Sequence, residues 1–263
     1  MKLDFAARVD IGVRESNDDR VLVSGQILDM MSHSGTVDAP ALAVVCDGCG
    51  GYAGGGIAAH TVLEFLSFEE PGALADANYL AQVLKNCRQM VAEKKLEMPQ
   101  FSAMCTTVAG CVFCDNSIVI FHSGDSRVYR YDSWGLAKMT KDHSLVQELV
   151  DMGEITPEEA LVHPNRNVIS RCIGVDGLPP EIYVTQTPVN PGEKYLFCSD
   201  GLWEYVRDHE IKEILGRDIS LQEMVDALVE RALDQGSDDN ISVCICARQG
   251  EVNVVEKKPF VLD

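Results

Sequence analysis

The sequence predicts an α+β protein in which antiparallel sheets carry helices packed on their outer faces. Three observations carry this. Short apolar or alternating segments come in runs, at 3–9, 21–28 and 41–46 and again from 106 to 131. Helical patterns come in pairs, at 54–67 with 74–96 and at 208–215 with 220–234, without the βαβ alternation of a doubly wound parallel sheet. And 263 residues with 46% hydrophobic content supply a large core without disulfide or metal staples.

Taken in order, residues 3–9 and 21–28 read as strands joined by a polar connection that holds Arg14, Asp18 and Asp19. Residues 29–40 read as an exposed loop. Ala41 to Cys46 is a short apolar run ending in Asp47 and glycines, the pattern of a buried strand. In the second helix Leu80, Leu84, Cys87 and Val91 repeat at three and four and mark its buried face. Lys85, Arg88, Lys94 and Lys95 on the other side read as a solvated face.

From residue 106 the period is that of strands. Asp115–Asn116 turns between 106–113 and 118–122, and Ser133–Trp134–Gly135 turns after 128–131. A helix is predicted at 143–152. Thr156–Pro157–Glu158–Glu159 then carries the cap, first-turn proline and acidic first turn of another. Strands follow at 182–186, 193–198 and 241–247. The segment 251–263 is a tail or one more strand. Residues 1–250 read as one domain.

Composition weighs against several functions. A formal net charge of −19 disfavours nucleic acid as the main partner, since phosphate binding needs a basic face. The N-terminus has a charge at Asp4 and no apolar core of a signal peptide, and no stretch approaches the length of a membrane span. Ten cysteines scatter through apolar runs, among them Cys46, Cys198 and Cys244, as small buried hydrophobes do. A reducing, cytoplasmic compartment is expected.

The acids are the informative feature. Asp19 and Asp239 precede strands, Asp47 and Asp200 end strands, and Asp125 lies in a turn between two. Singly, each also fits a cap or an Asx turn. If these strand ends converge, like charges share a small volume and cannot all ionise unaided. Oxygen-only ligands would then select hard cations such as Mg²⁺, Mn²⁺ or Ca²⁺. Two such ions roughly 4 Å apart activate water against phosphorus. Arg14 would supply a bidentate fork for phosphate oxygens.

Six stretches in order resemble the metal-dependent serine/threonine protein phosphatases of the PP2C (PPM) family, in their compact bacterial form. They are Arg14–Glu–Ser–Asn–Asp–Asp19, Val45–Cys–Asp–Gly–Cys–Gly–Gly51, Ser123–Gly–Asp–Ser–Arg127, Thr140–Lys–Asp–His–Ser144, Cys198–Ser–Asp–Gly–Leu202 and Asp239–Asn–Ile–Ser–Val243. His163–Pro164 and Ile173–Gly174 match the flap region, expected at about 143–170.

The resemblance implies a β-sandwich of two antiparallel sheets flanked by helices on both sides (αββα). It implies hydrolysis of phosphoserine and phosphothreonine in proteins at two Mn²⁺ or Mg²⁺ ions, with a third, weaker one. Asp47 would bridge the two ions and the Gly48 carbonyl would bind one. Asp200 and Asp239 would complete the first, Asp19 would reach the second, and Asp18 would act through water. Asp125 would help hold the third, and Arg14 would grip substrate phosphate. Phosphoproteins made by a bacterial Ser/Thr kinase would be the partners.

Cys49 departs from the pattern. It stands where many members have a histidine proposed as general acid, and a thiol can donate a proton in principle. It is read here as a small filler. Four rival readings fare worse. Gly48–x–Gly50–x–x–Ala53 with Glu69 and Glu70 downstream fits a dinucleotide fingerprint, but no βαβ unit follows. Cys111–Val–Phe–Cys114 has no second pair for zinc. His143 and His163 are read as structural. A non-catalytic phosphoprotein-binding module on the same fold would show degenerate acids, and none is missing.

Overall fold

The computed structural model describes residues 1–49, 54–175, 177–185 and 188–250. The 251–263 segment, Gly50, Gly51 and Ala53 lie outside the described residues.

The chain opens with β1 (Lys2–Asp10), β2 (Arg20–Val23), β3 (Gln26–Leu28), β4 (Ser32–Asp38), β5 (Ala41–Cys46) and the short β6 (Gly48–Cys49). Helices α1 (Gly54–Ser67) and α2 (Ala77–Glu97) follow. Then come β7 (Cys105–Thr106), β8 (Val108–Phe113), β9 (Ile118–Ser123), β10 (Arg127–Asp132) and β11 (Gly135–Lys138). Two short helices, α3 (Leu145–Asp151) and α4 (Pro157–Ala160), lead to β12 (Glu181–Thr185) and β13 (Lys194–Cys198). Helices α5 (Asp200–Trp203), α6 (Asp208–Leu215) and α7 (Leu221–Asp234) precede β14 (Ile241–Arg248).

Two six-stranded antiparallel sheets face each other, in the orders β11-β10-β13-β14-β1-β4 and β12-β9-β8-β5-β2-β3. Alternate side chains explain the layers, since successive residues of a strand point to opposite faces. In β5, Ala41, Ala43 and Val45 join the inter-sheet core with Phe5, Val9 and Phe113. Leu42, Val44 and Cys46 face the other way and pack with α1 and α2 through Val62, Leu63 and Leu84. The first sheet likewise covers its outer face with α5–α7, through Leu202, Ile211 and Leu228. The result is the expected αββα sandwich, and β5 is an unbroken apolar run because both its faces are buried.

Several local readings are corrected. The segment 21–28 is a hairpin, not one strand: Ser24 and Gly25 take φ of 51° and 74°, the left-handed pair of a tight hairpin turn. The supposed loop at 29–40 holds β4, which pairs with β1 from Lys2↔Asp38 to Arg8↔Ser32. It is an edge strand with mostly exposed side chains, so it has no hydrophobic period to read. The basic side of α2 is only partly solvated. Arg88 donates to the carbonyls of Gly177 and Leu178, and Lys95 to that of Gly174, so this face clamps the segment before β12. The dinucleotide reading fails because β5 and β8, which α1 and α2 connect, pair antiparallel.

The segment 143–170, expected as a flap, contains α3 and α4. Its base is zipped by backbone bonds from Leu145 N to Val168 O and from Ser170 N to His143 O. The Thr156 cap is a full capping box with Glu159.

Candidate metal centre

Strand register brings the acids together. Arg20 pairs with Cys46, so Asp19 and Asp47 sit at the same sheet end. Cys198 pairs with Arg127 and with Val243, which puts Asp200, Asp125 and Asp239 at the matching end of the other sheet. All five open on one end of the sandwich.

Backbone bonds independent of the carboxylate hold Asp47. Its N–H donates to Thr107 Oγ1 at 2.9 Å. Its carbonyl accepts from Thr107 N at 2.8 Å and from Thr106 Oγ1 at 3.0 Å. The next residue, Gly48, runs against Gly55 at the start of α1. A Cβ on Gly48 would lie 2.1 Å from the Gly55 carbonyl carbon, a separation only glycine permits. Gly48→Ala is therefore expected to push α1 from the Asp47 corner and to cost about 1–3 kcal/mol, read by chemical denaturation; an unchanged midpoint would refute the tight approach.

The other acids are equally built in. Asp19 is 2% exposed, and its Oδ2 accepts from Ser199 Oγ at 2.6 Å. Asp125 is 2% exposed, and its Oδ1 is buried without a hydrogen-bond partner. Asp18 Oδ1 accepts from Gly56 N at 3.0 Å. Asn240 stitches the corner: its Nδ2 donates to Ile11 O and Ser16 O, and its Oδ1 accepts from Asp18 N. Arg14 lies at the rim, half exposed, with its Nε on Asp238 O at 2.6 Å and its Nη2 on Asp239 Oδ2 at 2.8 Å.

Electrostatics give the cluster its character. Burial, then the charges of Asp200, Asp19, Asp125 and Asp239, push the Asp47 carboxyl well above the ordinary range. Burial and then Asp125, Asp239 and Asp19 do the same to Asp200. Asp19 rises to about 6 and Asp125 to about 7, burial again being the leading cause in each. Asp239 is raised by burial, against the pull of the Asn240 N–H and Arg14. Several buried carboxyls that repel one another, one with an orphaned oxygen, fit a hard divalent cation: it supplies the missing positive charge and accepts oxygen donors only.

Sequence reading missed Ser199, Thr106 and Thr107, which support the acids without being acidic. Their signal was a polar residue interrupting an apolar strand or its end. Cys49 places its sulfur 2.7 Å from Cys105 Sγ. His143 Nδ1 accepts from Gly124 N, and its ring stacks on His122 at 4.4 Å; His163 Nδ1 accepts from Asn165 N. Both histidines hold backbone. Cys111 is buried in the inter-sheet core.

Fold and site together define a class: an αββα sandwich that gathers mutually repelling carboxylates at one end. The family model for protein phosphatase 2C matches residues 23–242, and the chain belongs to that family. It is 36% identical over 247 residues to the serine/threonine protein phosphatase PstP of Mycobacterium tuberculosis, covering 92% of this chain and 44% of that one. The chain thus spans less than half the length of these mycobacterial relatives. It is 33% identical over 216 residues to the serine/threonine phosphatase stp of Listeria monocytogenes, covering 79% and 84%. The crystal structure of the M. tuberculosis phosphatase PstP/Ppp superposes with a TM-score of 0.82 at 33% identity, covering 95% of this chain and 100% of that one. The PstP catalytic domain in complex with two manganese ions gives 0.79 at 31% identity, with the same coverage.

Proposed function

We propose that the chain is a metal-dependent protein phosphatase that hydrolyses phosphoserine and phosphothreonine. The observation that carries this is the convergence of five strand-end acids, mutually repelling, two of them buried and three partly buried, beside one rim arginine. Residues 1–250 act as one phosphatase domain, with the flap at about 143–170 as the surface that selects substrate.

Asp47, Asp200 and Asp239 would hold one Mn²⁺ or Mg²⁺ and Asp47 and Asp19 a second, with the Gly48 carbonyl binding one of the two and Asp18 acting through water. Asp125 would hold a third. Bound there, such ions supply an activated water nucleophile and stabilise charge on the phosphoryl oxygens. The chain's own part is to fix these donors. Thr106 and Thr107 hold Asp47 by its backbone, Ser199 orients the Asp19 carboxylate, and Asn240 ties Asp18 to the Arg14 loop. Arg14 waits at the rim on Asp239, and a substrate phosphate competes for the same planar fork.

The test is hydrolysis of p-nitrophenyl phosphate and of a phosphothreonine peptide, with and without Mn²⁺. Turnover that appears with Mn²⁺ and disappears with chelator is expected. Folded protein that binds phosphopeptide without turnover would replace this reading by a binding module. Arg14→Ala is expected to raise KM for the peptide by about tenfold or more, since charged hydrogen bonds are worth about 1.5–3 kcal/mol; an unchanged KM would remove Arg14 from phosphate binding. Cys49→Ala is expected to keep turnover within about tenfold, below the effect of losing a general acid. A hundredfold loss would restore Cys49 as the proton donor.

The relatives' names support phosphoproteins as substrates; in this proposal the chain opposes a bacterial Ser/Thr kinase in cytoplasmic signalling. Among the described residues no helix is long and apolar enough to cross a membrane. Phosphoproteomics of a deletion strain tests the substrate assignment: accumulation of phosphoserine and phosphothreonine sites is expected, and an unchanged phosphoproteome would refute it.

A further inference from the structure

Pairing of β6 with β7 sets Cys49 directly opposite Cys105. On the other side of β7, Thr106 bridges Ile173 through two backbone bonds, of 2.9 and 2.8 Å. Cys172, the neighbour of Ile173, is thereby carried to the same spot. The three sulfurs lie within 4.8 Å of one another, and all three are free thiols. Cys105 and Cys172 are each 8% exposed, and Cys49 is half-buried. The carboxylate chemistry uses none of them.

We propose that Cys49, Cys105 and Cys172 form a second metal site, selective for a thiophilic d¹⁰ cation such as Zn²⁺ and separate from the carboxylate centre. Tetrahedral zinc with Zn–S near 2.3 Å needs sulfurs about 3.8 Å apart. The Cys49 and Cys105 sulfurs, 2.7 Å apart, would have to open to that spacing on binding. The same cysteines line a cavity of ≈ 260 Å³ with Asn167, Ser170 and Arg171, so a fourth coordination position faces open space. Thiolates select soft cations, whereas Mg²⁺ and Mn²⁺ prefer the carboxylates, so the two centres sort their ions. Three thiolates around Zn²⁺ leave one net negative charge. Lys95, bonded to the Gly174 carbonyl, brings a positive charge to that edge.

A disulfide accounts for less of this arrangement. The 2.7 Å between the Cys49 and Cys105 sulfurs lies between the roughly 2.05 Å of a disulfide and the roughly 3.8 Å of two zinc thiolates, so either bond requires the sulfurs to move. A disulfide would leave the third thiol unused. A cation would tie the segment leaving the flap to the corner that carries Asp47 and Gly48.

The reduced chain is stripped with chelator, saturated with Mg²⁺ and titrated with Zn²⁺ and, separately, with Co²⁺. One tightly held Zn²⁺ that Mg²⁺ does not displace is expected, with thiolate-to-cobalt charge-transfer absorption in the Co²⁺ form. Cys105→Ser and Cys172→Ser should each weaken Zn²⁺ binding by more than about 100-fold, since even outer-shell changes cost 10–100-fold. Circular dichroism checks that both variants fold. If they do not, the cobalt spectrum of the unaltered chain decides, and a missing charge-transfer band overturns the proposal. Zinc displaced by Mg²⁺, or affinity unchanged in both folded variants, overturns it by assigning the ion elsewhere. Protein isolated without reductant that is lighter by two hydrogens and retains no zinc overturns it in favour of a disulfide.

Discussion

Asp47→Asn is expected to abolish metal-dependent turnover, by at least about a thousandfold in kcat, while the protein stays folded. Removing a single preorganised electrostatic donor already costs about 10²–10³ in other active sites, and Asp47 is the acid that Asp200, Asp19, Asp125 and Asp239 all act on. The fold survives because Thr106 and Thr107 hold the Asp47 backbone, not its carboxylate. Asn also removes one charge from a repelling cluster. In chelator, the variant should therefore melt above the parent chain even as activity vanishes. Asp239→Asn should lose turnover in the same way. Phosphopeptide hydrolysis in Mn²⁺ and thermal melts in chelator measure the two effects. Retained activity in either variant would refute the two-ion assignment.

The second large effect is the pH dependence of the metal-free protein. Asp125 is held up at about 7 and Asp19 at about 6, against about 3.9 in an unfolded chain. A carboxyl raised by folding supports the native state fully below its unfolded value, and that support is lost as pH rises through the folded value. In chelator these two acids should thus erode stability between about pH 4 and about pH 7. Carboxylates lowered by folding work the other way in a different window. Glu181, held down at about 2 by burial overcome by bonds from Tyr183 and His143, gives its contribution above the ordinary carboxylate range and loses it towards pH 2.

Comparison with Asp125→Asn isolates the effect. The variant should match the parent near pH 4 and exceed it by on the order of a few kcal/mol near pH 8. Urea melts in chelator at the two pH values decide. A constant difference across that range would mean that Asp125 is ionised throughout. Excess Mn²⁺ should reverse the trend, because cation and proton compete for the same oxygens.

The strands were legible wherever an element buried at least one continuous face. Ala41 to Cys46, and Ile241 to Ala247 apart from the buried Ser242, are apolar because sheet and helices cover both sides, and α2 shows its single buried face at helical spacing. β4 was illegible for the opposite reason. Its stability comes from backbone pairing with β1 at a sheet edge, which leaves no mark on side-chain polarity. The turn at Ser24–Gly25 hid between apolar flanks that read as one run.

For the site, the sequence by itself determined that five acids stand at strand ends, and the spacing of their flanking glycines and serines made the family resemblance visible. It also determined the acidity, which weighs against nucleic acid as the main partner. Only the tertiary structure decided that these ends coincide. Each hairpin reverses direction, so the acids that share a volume depend on pairing between residues as distant as Arg20 and Cys46, or Cys198 and Arg127. The same holds for Cys49, Cys105 and Cys172, which read separately as small hydrophobes and meet only because β7 is paired on both sides. Local pattern reports what each residue's own element buries. Convergence is a property of register between elements, and long-range backbone pairing sets it.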